Sequence, residues 1–151
     1  MKRFILPLLA ILCCCACARH IYPVQSSGIV AEQNGTITIR STGYGQNKGT
    51  AINAAEQNAI EQLLFRGVPG SQQTMPMVTI DESAAKKQYE HYFNELFDGG
   101  RHKSFILSSI PVSNFVKHDH AKRDITIDVR INLPALRSDL ESRGVIRKFG
   151  Y

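Results

Sequence analysis

The chain has no tryptophan, and beyond position 17 it has no cysteine, its four cysteines standing at 13, 14, 15 and 17 of 151 residues. A body without cysteine excludes a disulfide framework, a thiol nucleophile and a cysteine-ligated zinc site. No low-complexity tract and no repeat of 20 to 50 residues interrupts it. Nor does charge of one sign dominate, since Lys plus Arg number 18 against 13 Asp plus Glu, a net charge of +5. The basic residues gather only locally, at Lys86-Lys87, Arg101 to Lys103, Lys122-Arg123 and Arg143 to Lys148. Nucleic-acid recognition needs a basic stripe as well as a positive total, so nucleic acid is not an expected partner.

Catalytic and cofactor motifs are missing too. Gly43-x-Gly45-x-x-x-Gly49-Thr50 lies between a strand and a helix, where a phosphate loop would sit. A dinucleotide fingerprint requires glycine at the position of Lys48, and a Walker loop requires Gly-Lys-Ser/Thr where this chain has Lys48-Gly49-Thr50. Gly43 and Gly45 are read instead as a turn from sheet to helix. His118 and His120 flank Asp119, but no HExxH and no carboxylate-rich partner joins them or His91 and His102, so solvated histidines are expected rather than a metal site. Gly70-Ser71 lacks the glycine of a nucleophile elbow. Glu82, Glu90 and Glu95 read as the solvated face of a helix. The expectation is no enzyme, with no catalytic, cofactor-binding or metal-ligating residues.

What the chain does have is a distinctive start. Lys2 and Arg3 precede an apolar run from Phe4 to Leu12 that Cys13 to Cys15 extend, the pattern of an export signal. The run falls short of the roughly 20 apolar residues a retained membrane span needs. The stretch resembles a bacterial lipoprotein signal, in which a cysteine after a small residue receives diacylglycerol and becomes the mature N-terminus. Cys17 follows Ala16 and is the expected lipidation site. Cys15, with Leu12 three residues before it, is the rival, and an ordinary secretory signal cut near Ala18 is the alternative. Removing residues 1–16 leaves enough chain for one domain and lowers the net charge to +3, since Lys2 and Arg3 are the only charges lost. Residues 17–27 then form the lipidated cysteine and a tether, 28–144 a single domain, and 145–151 a basic tail.

Within the domain, Asn34-Gly35 between apolar runs signals a hairpin of strands 28–33 and 36–43. Ile52, Ala55, Ala59 and Leu63, widened by Ile60 and Leu64, make one buried helical face over 51–64, which Gly67 and Pro69 end. Val78 to Ile80 is read as a short edge strand or loop beside Pro76. Asp81 or Ser83 caps a second helix whose Ala85, Tyr89, Tyr92, Phe93, Leu96 and Phe97 share a face up to Gly99-Gly100. That stripe is read as core, with a ligand-stacking groove as the alternative. Lys103 to Val116 reads as a strand with a bulge or edge position at Pro111. Ile125, Ile127, Val129, Ile131 and Leu133 alternate with polar residues in a last strand, and Pro134 opens a short helix over 135–142. The fold class expected is α+β: a mainly antiparallel sheet with two main helices packed on one face and a short C-terminal helix.

A strand running into Gly43-x-Gly45, a polar gap, then Ala51, Ala55 and Ala59 before Leu63-Leu64, all behind a lipoprotein signal, resembles small bacterial outer-membrane lipoproteins of the flagellar type and the N-terminal domain of flagellar accessory proteins. The resemblance covers about residues 28–66, and segment 67–102 has no counterpart in it. It implies a compact α+β unit without catalytic residues, anchored through its lipid and self-associating or docking onto proteins of an envelope complex. The residue after Cys17 is alanine, not the aspartate of inner-membrane retention, so the expected location is the outer membrane, facing the periplasm. The alternative function is a periplasmic binding module for a small ligand or cell-wall polymer, using the aromatic helix and Arg101 to Lys103.

Overall fold

The computed structural model describes residues 26–117 and 123–148. Over these the chain runs β1 (Ser26–Gln33), β2 (Thr36–Tyr44), α1 (Lys48–Phe65), α2 (Glu82–Gln88), α3 (Glu90–Phe97), a 3-10 turn (Arg101–Phe105), β3 (Ile106–Pro111), β4 (Val116–Lys117), β5 (Arg123–Asn132) and α4 (Leu133–Ser142). The strands form one antiparallel sheet in the order β1-β2-β5-β3, with β4 also on β5. It is an α+β fold, as the element pattern implies. Asn34 and Gly35 both take positive φ, 48° and 76°, which is what a two-residue turn between right-twisted strands requires.

The sheet centre follows from alternation. Ile37, Ile39, Ser41 and Gly43 of β2 stand opposite Ile131, Val129, Ile127 and Ile125 of β5, and all eight are buried. The intervening residues, Thr36 to Tyr44 on β2 and Asp124 to Asn132 on β5, form the other, polar face. There Arg40 forks onto Asp128 at 2.8 and 2.9 Å, and the hydroxyls of Thr42 and Thr126 meet at 2.8 Å.

Helix α1 lies across the apolar face. Its first turn is closed by a capping box in which Asn47 accepts from the Thr50 N–H while the Thr50 hydroxyl accepts from the Asn47 N–H. Ala51, Ala55, Ala59, Ile60, Leu63 and Leu64 are fully buried. Burial of Ile60, Leu63 and Leu64 contributes about 1.5–3 kcal/mol each before conformational entropy is charged. The alanine row matters because of what it faces. A Cβ on Gly43 would sit 2.1 Å from the Ala51 carbonyl oxygen and 2.2 Å from the Ala55 nitrogen, so strand and helix meet backbone to backbone. Asn58 pins the contact by donating to the Thr42 carbonyl at 2.9 Å.

The aromatic segment forms a further layer against α1. Phe93 packs on Phe65 with ring centroids 5.6 Å apart and on Tyr92 edge-on at 5.2 Å, and Gln57 of α1 donates to the Phe97 carbonyl. Here two expectations need correction. The single second helix is two: Tyr89 takes φ −117° and ψ 38°, which kinks the axis between α2 and α3 although Tyr89 N still reaches Ala85 O and Phe93 N reaches Tyr89 O. Of the short edge strand or loop expected at Val78 to Ile80, the loop is found. Met77 N and Val78 N donate to the carbonyls of Leu63 and Leu64, carbonyls that the end of α1 leaves unsatisfied. The strand expected over 103–116 starts as a 3-10 turn and is interrupted at 112–115. Pro111 cannot donate to a ladder, and just beyond it Val112 N and Ser113 N both donate to Thr126 O while the Ser113 hydroxyl accepts from Thr126 N. Of the bulge or edge position expected for Pro111, the edge position is found, and the register shift of β3 lies earlier, between Ile106 and Ser108.

Helix α4 begins at Leu133, one residue before Pro134, with Asn132 capping the Ala135 N–H. The basic tail expected from 145 starts with core residues: Val145 is buried, and Val145 N and Ile146 N both donate to Leu140 O.

Candidate functional site

Three polar clusters and one cleft stand out in the folded domain. The deepest cluster joins α1, the 3-10 turn and β3. His102, with no exposed surface, has Nδ1 3.1 Å from the Leu96 carbonyl. A carbonyl only accepts, so Nδ1 carries the proton and Nε2 presents a lone pair. Nε2 has no hydrogen-bond partner and lies 3.9 Å from Glu56 Oε2, whose other oxygen accepts from the Ser109 hydroxyl at 2.7 Å. Burial holds the His102 pKa below the ordinary histidine value, with Lys103 adding to it and the Leu96 bond and Glu56 opposing it. The residue types are those of a serine hydrolase triad, but the connectivity is not. Ser109 donates to the carboxylate rather than to the imidazole, so the histidine base of a triad is not in place.

A second cluster ties α3 and α4 to the 3-10 turn. Asp139 accepts from the Tyr92 hydroxyl at 2.8 Å and from Arg101 Nη1 at 2.7 Å, and the Arg101 guanidinium lies 5.1 Å from the Tyr92 ring centre. Burial, then the bond to Asp139, raises the Tyr92 pKa above the tyrosine range, so the phenol stays a donor. The third cluster is at the α1–α2 junction, where Lys86 reaches both Glu61 and Glu82 at 2.8 Å and Arg66 reaches Glu82. It fastens the aromatic layer to α1.

The cleft, about 660 Å³, opens between the 77–80 loop, the kink and the chain after α4. Met77, Val78 and Val145 are its buried floor, and Tyr89, Arg137 and Arg147 line its walls. Arg137 donates to Gln73 Oε1 at 2.7 Å, which sets its guanidinium in place. The arrangement offers an apolar floor, one half-buried phenol ring and two guanidinium groups, a setting for an anion with an apolar body.

The residues expected from the sequence divide as follows. Cys17 and Cys15 lie outside the described residues, as do His118, Asp119 and His120. His91 is exposed on α3, 3.5 Å from Glu95, and His102 is buried far from solvent. Among the described residues no group of three His, Cys, Asp or Glu is arranged to hold a metal ion, and no helix is long and apolar enough to cross a membrane. Gly43 serves close packing on α1 more than turning, and the α1 N-terminus is occupied by its own capping box. Tyr92 and Phe93 are buried in the core and form no ligand-stacking groove, whereas Tyr89 of the same stripe is half-buried and lines the cleft. Glu82 stays partly exposed and pairs with Arg66, just past α1, and with Lys86 of its own helix.

Sequence reasoning missed the Glu56–His102–Ser109 and Tyr92–Arg101–Asp139 clusters. Their three long hydrogen-bonded pairings span 38, 47 and 53 positions, and no local spacing marks them. The one available signal was Glu56 on the apolar face of α1, between Ala55 and Ala59. A search against family models, curated proteins and solved structures finds no match to the chain.

Proposed function

We propose that the protein is an outer-membrane-anchored lipoprotein with a structural, protein-interacting role in a cell-envelope complex, lipidated at Cys17 and facing the periplasm. Confinement of all four cysteines to 13–17 behind an apolar run supports the anchor. The observation that carries the interaction role is the β3 edge. From Ser104 to Val116 the chain has no charged residue, and Leu107 and Ile110 on this outermost strand are both more than half exposed. Monomeric proteins usually protect such an edge with charges, so an uncharged apolar one is a template for a partner strand. Pro111 limits the pairing to the first part of β3. The likeness to flagellar-type lipoproteins agrees with this reading and adds the expectation of an oligomer.

Two measurements test it. Metabolic labelling with a fatty acid should mark wild type and Cys15→Ser but not Cys17→Ser, and the label should fractionate with the outer membrane; undiminished label in Cys17→Ser refutes the site. Cross-linking in cells should give oligomers or a defined envelope partner that Leu107→Lys with Ile110→Lys abolishes. A wild-type protein that stays monomeric, with no partner above background, sinks the assembly role.

A second reading is favoured by the cleft. Arg137, Arg147 and Tyr89 over an apolar floor suit an anionic ligand such as a charged cell-wall fragment. Binding lost in Arg147→Ala, with the fold intact, would support that module, and no binding by wild type would remove it.

A further inference from the structure

The register brings three features to one end of the sheet. Ser26, where the chain enters β1, stands opposite Ser41, which stands opposite Ile127, itself opposite Pro111. Further toward this end, Tyr44 faces Asp124, and Asp124 faces Val116 of β4. The start of α1 is tied to the same end, because Gly45 N donates to the Arg123 carbonyl at 3.0 Å two residues before the Asn47 cap. The Asn34-Gly35 turn lies at the opposite end, together with the loop after α1, whose Gln72 N–H is held by Glu32.

The two ends differ chemically. At the entry end Val112 and Val116 are 45% and 46% exposed, and the Arg123 guanidinium lies 5.8 Å from the Phe115 ring centre. Lys48, the first residue of α1, is exposed here as well. Across 42–51, 110–117 and 123–126 the one carboxylate is Asp124, and it is half-buried. The far end carries Glu32, Asp81 and Glu82, so that its cations Arg66 and Arg130 and its exposed Met75 and Ile80 stand among carboxylates.

We infer that the entry end rests on an anionic lipid bilayer, with Val112 and Val116 at the boundary of headgroups and acyl chains and Arg123 and Lys48 against headgroup phosphates. The inference rests on the lipid anchor at Cys17. The chain from Cys17 to Ser26 reaches at most ~30 Å when fully extended. That is about the length of the sheet, since the 9 residues of β2 rise ~3.3 Å each. The tether joins the domain at its entry end, so along the chain that end lies nearest the anchor. Exposed apolar side chains interspersed with cations are what an interfacial surface requires. The sheet then stands on end, with the β3 edge turned sideways toward neighbours on the same membrane.

The absence of tryptophan supplies the test. Val116→Trp, Val112→Trp and, at the far end, Met75→Trp at a site 73% exposed each create a single fluorescent reporter. The full chain carrying its lipid is reconstituted into vesicles of phosphatidylcholine, with or without phosphatidylglycerol, containing brominated acyl chains. Reporters at 116 and 112 should shift to the blue and be quenched, more strongly with phosphatidylglycerol. Quenching at both should weaken in 1 M salt, where the Debye length is ~3 Å rather than ~10 Å at 0.1 M. Adding Arg123→Ala should weaken it too, and the reporter at 75 should stay unquenched. Equal quenching at both ends, or none at 112 and 116, overturns the inference. So does a reporter at 116 shielded from iodide but untouched by the brominated lipid, which marks a protein contact instead. Mass spectrometry of the same sample separates this from the anchor reading. An acylated Cys17 without quenching defeats the docking alone, whereas an unacylated chain still quenched by added anionic vesicles defeats the anchor alone.

Discussion

Gly43→Ala adds one methyl group where the chain has no room for it. In the present packing the new Cβ would lie 2.1 Å from the Ala51 carbonyl oxygen, 2.2 Å from the Ala55 nitrogen and 2.8 Å from the Ala55 Cα, against the 3.4 Å at which ordinary contact begins. All three atoms are α1 backbone, so no side-chain rotation relieves the clash, and α1 must lift off the sheet by about 1 Å. A gap of that size forfeits roughly a quarter to a half of the dispersion energy at each contact it opens. The contacts at stake are those of Ala51, Ala55 and Ala59 with the sheet, and the Asn58 bond to the Thr42 carbonyl lengthens with them. Overpacking of well-filled cores typically costs 1–3 kcal/mol; a clash against backbone belongs at the upper end, about 3 kcal/mol. That is a large part of the 5–15 kcal/mol that separates folded from unfolded domains. Urea unfolding of the purified protein reads it directly, with Gly28→Ala, where nothing lies within 4 Å, as the control. A Gly43→Ala midpoint within error of Gly28→Ala would refute the backbone contact between β2 and α1.

Two further predictions concern the buried clusters. The folded-state pKa of His102 is held below the ~6.5 of an exposed histidine, so the unfolded chain binds more protons in that window and stability falls as pH drops below about 6.5. His102→Gln removes this term, so the stability gap between wild type and variant should narrow from pH 7.5 to pH 5; a gap independent of pH refutes burial of a neutral imidazole. Tyr92→Phe deletes the phenol that donates to Asp139 and should cost about 1.5–3 kcal/mol in urea, the range for a hydrogen bond to a charged group. A neutral result would mean that Arg101 alone satisfies Asp139.

Much of the fold was legible because it rests on local chemistry. Asn34-Gly35 marks its hairpin through the backbone angles the turn needs, and the alternation of Ile125 to Ile131 marks a sheet with one wet face. The alanine spacing on α1 marked its buried face, although the partner in the close approach, Gly43, was read as a turn residue. The second helix was harder. A stripe of Ala85, Tyr89, Tyr92, Phe93 and Leu96 fits one straight helix, whereas the folded chain kinks at Tyr89, with Phe93 packed on Phe65 and Tyr92 against Arg101 of the 3-10 turn. The segment 103–116 is rich in strand formers throughout, yet Pro111 and the Ser113 hydroxyl, which replaces a ladder group, cut its pairing short.

The α+β class, the hairpin, the core face of each main element and the concentration of cysteine chemistry before residue 18 are all written in local residue patterns. These follow from side-chain periodicity and backbone preference over a few neighbouring residues. Tertiary structure alone decided that Glu56, His102 and Ser109 meet, that Tyr89, Arg137 and Arg147 line one cleft, and that Val112, Val116 and Arg123 share the sheet end where the chain enters. Such sites depend on strand register and on how α1 seats on the sheet, and residues brought together from 38 or 53 positions away leave no mark in any local window.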